Sequence, residues 1–461
     1  MNTKQLRQKI LDLAIRGKLV PQNPNDEPAS VLLERVRAEK ARLTKEGKIK
    51  RDKKDSVVLR GDDKLYYEQL PQGWEFIQLG DVIELFSGQD LTPDRYNDMG
   101  IGIPYITGAS CLENNRVLIN RWTDSPQVHS CNGDLLLTVK GAGVGKMAIS
   151  HLADAHIARQ IMAIRAYCGI DNRFIGFVLS AELSTLTSQA NGLIPGIRRE
   201  IVLTHEIALP PLAEQRRIVA AIESSFTVID EIERNKTDLQ AAVAAAKSKI
   251  LSLAIRGKLV PQDPEDEPIE TIFGNSKAEK EPMLFDIPDN WKWYQLEEIG
   301  TTNIGLAYKP KDICDNGVPV IRSNNIKNGK LDFSDLVRVN TPLTDSLELN
   351  DDDIVICARN GSKHLVGKCA VVQNKTERLT FGAFMAVYRS ECNQYIYHFL
   401  NSNFFRQIFE SEGISTQINQ LTQAMIKETI IPLPPIEEQR RIVAAVEVAF
   451  GELDNIMSTL N

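Results

Sequence analysis

No apolar run in the 461 residues approaches the ~20 that a membrane-spanning helix needs. The opening stretch, MNTKQLRQKILDLAIRGK, alternates charged and apolar positions and has no unbroken apolar core, so it is not expected to be a signal peptide. The seven cysteines (Cys111, Cys131, Cys168, Cys314, Cys357, Cys369, Cys392) form no CxxC pair, which argues against a disulfide framework or a zinc knuckle. The six histidines (His129, His151, His156, His205, His364, His398) show no HExxH or paired-ligand spacing. Positive charge is not in excess: the formal net charge is −7, which does not suit a protein that coats nucleic acid without sequence preference. These absences lead us to expect a cytoplasmic globular chain with reduced thiols, some buried as small apolar residues, and long enough for about three domains.

Catalytic signatures are also missing. Neither LPPL nor LPPI carries the Asp or Asn that a base-holding [DN]PP[YFW] loop needs before its prolines. KGAGVGKM (Lys140–Met147) fails as a phosphate-binding loop: its first glycine is one residue too close to GK, and Met147 stands where Ser or Thr would bind Mg²⁺. A strand-to-strand loop is the expected role. No nuclease-like carboxylate–lysine cluster stands out. Neither catalytic, cofactor-binding nor metal-ligating residues are therefore expected.

What the chain does contain is repetition. LAIRGKLVPQ occurs at Leu13–Gln22 and again at Leu253–Gln262, and EQRRIVAA at Glu214–Ala221 and again at Glu438–Ala445. Weaker pairs lie between them: PQGWEFIQL with PDNWKWYQL, IPYITGAS with VPVIRSNN, and GDLLLTVKGAGVGK with DDIVICARNGSKHLVGK. The order is unusual. In mid-chain EQRRIVAA precedes LAIRGKLVPQ, whereas LAIRGKLVPQ opens the chain and EQRRIVAA closes it.

A heptad stride marks the segment after the first EQRRIVAA. Stepping 4,3 from Ile218 gives Ile222, Ser225, Ile229, Ile232, Lys236, Leu239, Val243, Ala246, Ile250 and Leu253, nine of the eleven apolar. Pro210–Pro211 precede it and Gly257 follows it, as helix punctuation requires. Roughly 44 residues would make a rod of about 66 Å that needs a partner stripe. The C-terminal copy stops at the position equivalent to Thr237, and the N-terminal copy starts at that of Ala241. The expectation is two antiparallel rods, one continuous and one assembled from both termini, in a pseudo-twofold cyclic arrangement.

The expected fold class is α/β (α+β): two mixed α/β heads separated by an antiparallel two-helix coiled-coil spacer. Short runs rich in β-branched residues (DLLLTV, IVLTHEIAL, DIVICAR, AFMAVY, TIIPLP) read as strands, and FIGFVLSAEL and YIYHFLNSNFFRQIF as helical. The expected boundaries are 1–20, an N-terminal helix completing the second spacer; 21–69, a linker with a basic segment; 70–211, the first head; 212–257, the central spacer helix; 258–284, a linker; 285–435, the second head; and 436–461, the C-terminal spacer helix. Within the first linker, Arg35–Lys54 carries ten Lys/Arg against three acids.

Two unlike heads on a rigid spacer suit two half-sites on duplex DNA, about 34–36 Å apart per helical turn. LPPLAEQRRIVAAIE after the first head and LPPIEEQRRIVAAVE after the second, with the matching N-terminal helix and the GWxxxxL start at Gly73–Leu79 (Asn290 replacing the glycine in the second head), resemble the specificity subunit of type I restriction–modification systems. That resemblance spans essentially the whole chain. It implies that each head is a target-recognition domain for one half of a bipartite, asymmetric site, and that the helices space the heads and dock two modification (methyltransferase) subunits. Added restriction subunits would complete an ATP-dependent endonuclease. S-adenosylmethionine, ATP and Mg²⁺ would then belong to those partners and no cofactor to this chain.

Base readout calls for Arg, Lys, Asn or Gln, and phosphate contact for Lys, Arg, Ser or Thr, on loops. The candidates in the first head are Thr107, Ser110, Lys140, Lys146, His156, Arg159, Gln160, Arg198 and Arg199. Those in the second are Arg322, Ser323, Asn324, Asn325, Arg359, Asn360, Ser362, Lys363, His364, Gln417, Asn419 and Gln420. The heads themselves are slightly acidic, −4 over Leu70–Pro210 and −3 over Phe285–Pro435, so the isolated chain is expected to bind DNA weakly. Two other readings stay open: a non-enzymatic coiled-coil scaffold with protein-binding heads, testable by DNA competition, and an enzyme using the loop around Gly141, testable by nucleotide or S-adenosylmethionine binding.

Overall fold

The computed structural model describes residues 2–49, 70–113, 115–188, 196–278, 285–411 and 420–459. They form two compact units, Met1–Asn235 and Lys236–Asn461.

The first unit opens with helices α1 (Thr3–Ile15) and α2 (Ala29–Lys45). Strand β1 (Glu75–Gln78), the single turn α3 (Leu79–Val82) and β2 (Ile83–Ser87) follow. Then come β3 (Ile103–Ile106), the ribbon β4 (Leu112–Glu113) and β5 (Arg116–Val117), β6 (Trp122–Thr123) and β7 (His129–Cys131). The hairpin β8 (Leu135–Thr138) and β9 (Met147–Ile149) leads to β10 (Asp154–Ile157) and β11 (Ile161–Ala166). Helices α4 (Asn172–Ala181), α5 (Leu183–Ser188) and α6 (Arg199–Leu203) precede β12 (Glu206–Leu209) and the 43-residue helix α7 (Leu212–Ala254).

One antiparallel sheet has the order β2-β11-β8-β9, and a second, mixed sheet the order β6-β3-β10-β7 with β3 and β10 parallel. β8 is buried at every position. Leu135 and Leu137 face the cluster formed with α1, α4 and the start of α7, while Leu136 faces the cluster between the sheets. A strand covered on both faces reads as an unbroken apolar run rather than an alternation. The chain enters and leaves the head through β1 paired with β12, Glu75 opposite Leu209.

The second unit repeats this plan. After the turn α8 (Glu270–Phe273) come β13 (Lys292–Gln295), α9 (Leu296–Ile299) and β14 (Thr301–Ile304). The middle contains β15 (Ile313–Ile321), the ribbon β16 (Ile326–Lys327) and β17 (Lys330–Leu331), β18 (Val337–Val339), β19 (Ile354–Cys357), β20 (Cys369–Val371), β21 (Thr380–Phe381) and β22 (Met385–Arg389). Helices α10 (Asn393–Leu400), α11 (Asn403–Ser411) and α12 (Gln423–Glu428), strand β23 (Ile430–Leu433) and helix α13 (Ile436–Ser458) close it. The sheets are β14-β22-β19-β20 and β18-β15-β21, with β15 and β21 parallel.

Each unit contains one LAIRGKLVPQ and one EQRRIVAA, and the two stretches bind each other. In the first unit the buried Glu214 carboxylate accepts from Trp74 Nε1 at 3.0 Å and from Gln22 Nε2 at 2.7 Å. In the second, Glu438 accepts from Trp291 Nε1 at 3.0 Å and Gln262 Nε2 at 2.7 Å. Gln215 and Gln439 donate to Pro210 O and Pro434 O. Arg217 pairs with Asp26 at 2.6 Å and Arg441 with Asp266 at 2.5 Å. The repeated glycines end the repeated helices: Gly17 and Gly257 both have φ +64°, and an added Cβ would come within 2.5 Å of Pro71 and 2.4 Å of Pro288. The exact repeats are thus one helix–head joint built twice.

Within the first unit α1 runs antiparallel to the first part of α7. Arg7 bonds Asp230 at 2.6 Å and lies 4.9 Å from the Phe226 ring, while Gln22 reaches Glu214 sixteen residues earlier in α7. Within the second unit Lys247 of α7 bonds Asp454 at 2.6 Å and lies 4.9 Å from Phe450 of α13. Of the expected seam, Ile218, Ile222, Ile229 and Val243 are buried, Leu239, Ile250 and Leu253 are half-buried, and Ile232 is exposed. A strict heptad slips about 20° per repeat on a straight helix. Towards the end of α7 the buried stripe has accordingly moved to Leu251 and Ala254.

Two expectations about the connections need correction. Residues 29–45 are a packed helix rather than linker, because Ala29, Leu32, Leu33 and Val36 recur at helical spacing and are buried. Its Arg35 and Arg37 face solvent, and the rest of the basic segment from Lys50 lies outside the described residues. In 258–284, Ile269 and Ala278 are buried. IVLTHEIAL is likewise not one strand: it divides between α6 and β12. Among the described residues no helix is long and apolar enough to cross a membrane.

Candidate nucleic-acid interface

The mixed sheet brings the candidate loops of the first head together. β3 and β10 run parallel, so both leave the sheet at the same edge, where the amide of Ala158 bonds Ile106 O at 2.9 Å. β11 starts after the three-residue connection 158–160, and its antiparallel neighbour β8 ends beside it, with Val139 N bonded to Gln160 O at 2.8 Å. Ile197 N then bonds Val139 O at 2.9 Å, and Lys140 bridges Gly196. Four separate segments therefore converge on one rim: 107–110, 139–146, 158–160 and 196–199.

The glycine-rich loop is the β8–β9 hairpin connection. Gly141 and Gly145 have φ +88° and +90°, and a Cβ on Gly143 would collide with Ala109 at 2.2 Å. Glycine here serves close packing of the loop on the 107–110 turn, to which Lys146 Nζ also reaches at 3.5 Å. Ser110, Lys140, Lys146, Arg159, Gln160, Arg198 and Arg199 are exposed, and Thr107 is half-buried. Arg159 pairs with Asp90 at 2.6 Å, and Arg199 donates to Leu85 O. Five of the ten cationic side chains of this head thus sit on the rim although the head as a whole is acidic.

His156 has to be removed from this set. It is fully buried, its Nε2 lies 2.9 Å from Gln89 O and its Nδ1 3.0 Å from Val128 O, and its ring packs 4.9 Å from that of Tyr105. Burial also pushes its pKa down.

The second head assembles the same rim from different side chains. Ala358 N and Arg359 N both bond Phe384 O, at 2.9 and 3.0 Å, Leu421 N bonds Ala358 O at 2.7 Å, and Arg359 bridges Gln420. Asn360 Nδ2 donates to Ser323 Oγ at 3.0 Å, tying the β19–β20 connection to the turn after β15. Asn324, Arg359, Ser362, Lys363 and His364 are exposed, and Arg322, Ser323, Asn360 and Gln420 are half-buried. Asp335 holds Arg322 at 3.5 Å and Asn324 at 3.0 Å.

Asn325 is a structural residue rather than a reader. It is buried, accepts from Arg322 N at 2.9 Å and donates to Asp332 O and Asp335 O at 3.1 and 2.8 Å, closing the turn that presents its neighbours. Gln417 and Asn419 lie outside the described residues.

Phe384 was not among the candidates. AFMAVY reads as a strand, but β22 begins only at Met385, and Phe384 stands 61% exposed on the rim with the Arg359 guanidinium 5.5 Å from its ring centre. The signal was available in the repeat: Phe384 occupies the place of Gln160. Among the described residues no group of three or more His, Cys, Asp or Glu is arranged to hold a metal ion.

Comparison with known proteins places this architecture. The family model for the type I restriction modification DNA specificity domain matches residues 71–240 and 288–460. The specificity subunit of the type I restriction enzyme EcoAI from Escherichia coli is 27% identical across 99% of this chain and 89% of its own length. That of EcoEI, also from Escherichia coli, is 26% identical across 99% and 90%. The EcoKI specificity subunit from Escherichia coli strain K12 is 33% identical over 37% of this chain and 38% of its own. A solved chain from a study of complex assembly and conformational transition in a type I R-M system shares the fold, with TM-score 0.65 at 20% identity over 85% of this chain and 94% of that one.

Proposed function

Because this chain belongs to the type I restriction–modification DNA specificity family, we propose that it directs such an enzyme to a bipartite, asymmetric DNA site, each head reading one half. The observation that carries this reading is the duplicated rim. The same strand ends and backbone bonds recur in both heads, yet the side chains they present differ: Lys140, Gln160 and Gly196 in one, Arg359, Phe384 and Gln420 in the other. A shared scaffold with unlike tips is what two different half-sites require.

In this reading α7, with α1 and α13, sets the unread gap and offers the two repeated joints to two identical modification subunits. The chain itself performs no chemistry. Methyl transfer to adenine, with its S-adenosylmethionine, and ATP-dependent cleavage with Mg²⁺ belong to modification and restriction partners. The overall acidity of each head fits weak binding by the isolated chain and tighter binding once partners enclose the duplex.

Co-expression with the modification subunit, followed by mapping of methylated adenines, tests the proposal. A two-part motif with an unread gap is expected. Replacing Leu70–Pro210 with another head should change one half of that motif only, and a change in both halves, or no sequence preference, would refute the assignment.

A further inference from the structure

We infer that Phe384, backed by Arg359, reads a thymine methyl group in the half-site of the second head; this rests on the proposed reading of the heads as DNA readers. The ring is 61% exposed on a rim otherwise made of Arg, Asn, Ser, Lys, His and Gln. Its position is fixed. The Phe384 carbonyl accepts the amides of both Ala358 and Arg359, at 2.9 and 3.0 Å, and the turn is closed by Met385 N on Gly382 O at 2.8 Å. On its other side Leu306 N bonds Phe381 O at 2.7 Å and Gly305 N bonds Met385 O at 3.0 Å. A large apolar side chain thus stands exposed on a turn whose backbone is bonded on both sides.

Phosphate oxygens offer nothing to a phenyl ring, so backbone contact explains the rim's cations but not this residue. A base edge does offer a complement. In the major groove only thymine presents an apolar group, its 5-methyl, and Phe is one of the side chains that meets it. The Arg359 guanidinium, 5.5 Å from the ring centre, stacks against it and keeps its N–H edge for a neighbouring acceptor. No ion pair engages Arg359 among the described residues, whereas Arg159 in the first head pairs with Asp90.

The first head supplies an internal comparison. Gln160 stands on the equivalent turn, its carbonyl accepting Val139 N at 2.8 Å. Its side-chain oxygen lies over Gly108 and Gly141, where an added Cβ would approach it to 2.8 and 3.6 Å. Gln suits the donor–acceptor edge of adenine. One backbone position therefore carries an amide in one head and a phenyl ring in the other, as a specificity position should.

The test is methylation mapping of the full chain co-expressed with its modification subunit, as wild type, Phe384→Ala and Phe384→Leu. The wild type should define a thymine in the second half-site. Phe384→Ala should lower discrimination at that one base pair by roughly tenfold, Phe384→Leu should retain most of it, and the first half-site and the gap should be unchanged, which also certifies folding. Three results overturn the inference: a second half-site without thymine, unchanged preference in Phe384→Ala, or a uniform loss of methylation with preference intact, which would assign the ring to a protein contact. A wild-type chain that directs no two-part methylation refutes the underlying reading itself and the inference with it.

Discussion

The indole nitrogen of Trp74 donates to the Glu214 carboxylate at 3.0 Å across 140 residues of sequence, and Trp291 repeats the bond to Glu438 at 3.0 Å across 147. Both carboxylates are buried, and burial pushes both pKa values up while the Trp and Gln donors pull them back. The bond joins the first turn of each head to the first turn of the helix that leaves it. A head whose orientation matters to its target needs such a fixed root, and here it is the same root twice.

Removing the carboxylate should therefore loosen a head from its helix. Glu214→Ala leaves the buried Trp74 N–H without its acceptor, and the expected cost is roughly 1–3 kcal/mol by chemical denaturation. Trp74→Phe with Glu214→Gln should show a coupling energy of roughly 0.5–3 kcal/mol in a double-mutant cycle. Additive single effects would show that the bond contributes nothing. Glu438→Ala should act in the same way on the second unit.

The repeats, the mixed α/β character and the long helix were legible because each rests on local signals: identity, β-branched runs, heptad spacing, proline and glycine punctuation. What sequence alone could not supply was which buried polar groups meet. EQRRIVAA gives no hint that its Glu receives a Trp N–H from 140 residues away. His156 and Asn325 look like surface readers by residue type, yet burial against Tyr105 and the closure of a turn have taken up their polar atoms. Phe384 was hidden for the opposite reason. Its neighbours are strand-forming, yet it lies just before β22 in a turn closed by Met385 N on Gly382 O.

The repeated glycine makes a sharper demand. Gly17 and Gly257 both need positive φ, and both have proline and tryptophan of the head where a Cβ would stand. Gly17→Ala and Gly257→Ala should each destabilise by at least the roughly 1–2 kcal/mol cost of left-handed backbone for an L-residue, with a further loss from the collision. Thermal unfolding measures this: a cost of only about 1–2 kcal/mol would mean that the Pro71 and Pro288 rings yield freely, and one well below about 1 kcal/mol would mean that the backbone leaves the left-handed region.

Acid should weaken the second unit in a way the first does not share at this position. His398 is 6% exposed and packs edge-on to Phe450 at 6.3 Å, where the first head uses Phe177 against Phe226 at 6.0 Å. Burial lowers its pKa to about 4. A histidine whose folded pKa is depressed stabilises the fold above its unfolded value near 6.5 and loses that contribution as pH falls towards the folded value. The expected loss between pH 6.5 and 4 is up to about 3 kcal/mol. Denaturation at a series of pH values should show His398→Phe flattening this part of the profile, and an unchanged slope would mean that the imidazole reaches solvent when charged.

Charge and readout on the rim should separate experimentally. Lys146 extends from the glycine hairpin and, among the described residues, reaches the Ala109 carbonyl, so its role on DNA would be a phosphate contact. Lys146→Ala should weaken binding of the assembled complex about equally on all sequences and reduce the slope of log affinity against log salt by roughly 1. Arg359 has its main chain fixed by the bond of its amide to Phe384 O, and in the proposed reading its guanidinium edge would meet guanine. Arg359→Ala should cost roughly 1–3 kcal/mol on the cognate site, far less on non-cognate DNA, and relax a base of the second half-site alone. Equilibrium binding across a salt series, on cognate and scrambled duplexes, distinguishes the two outcomes. If both substitutions changed the salt slope alike and left preference intact, the rim would be an electrostatic platform and sequence would have to be read elsewhere on the heads.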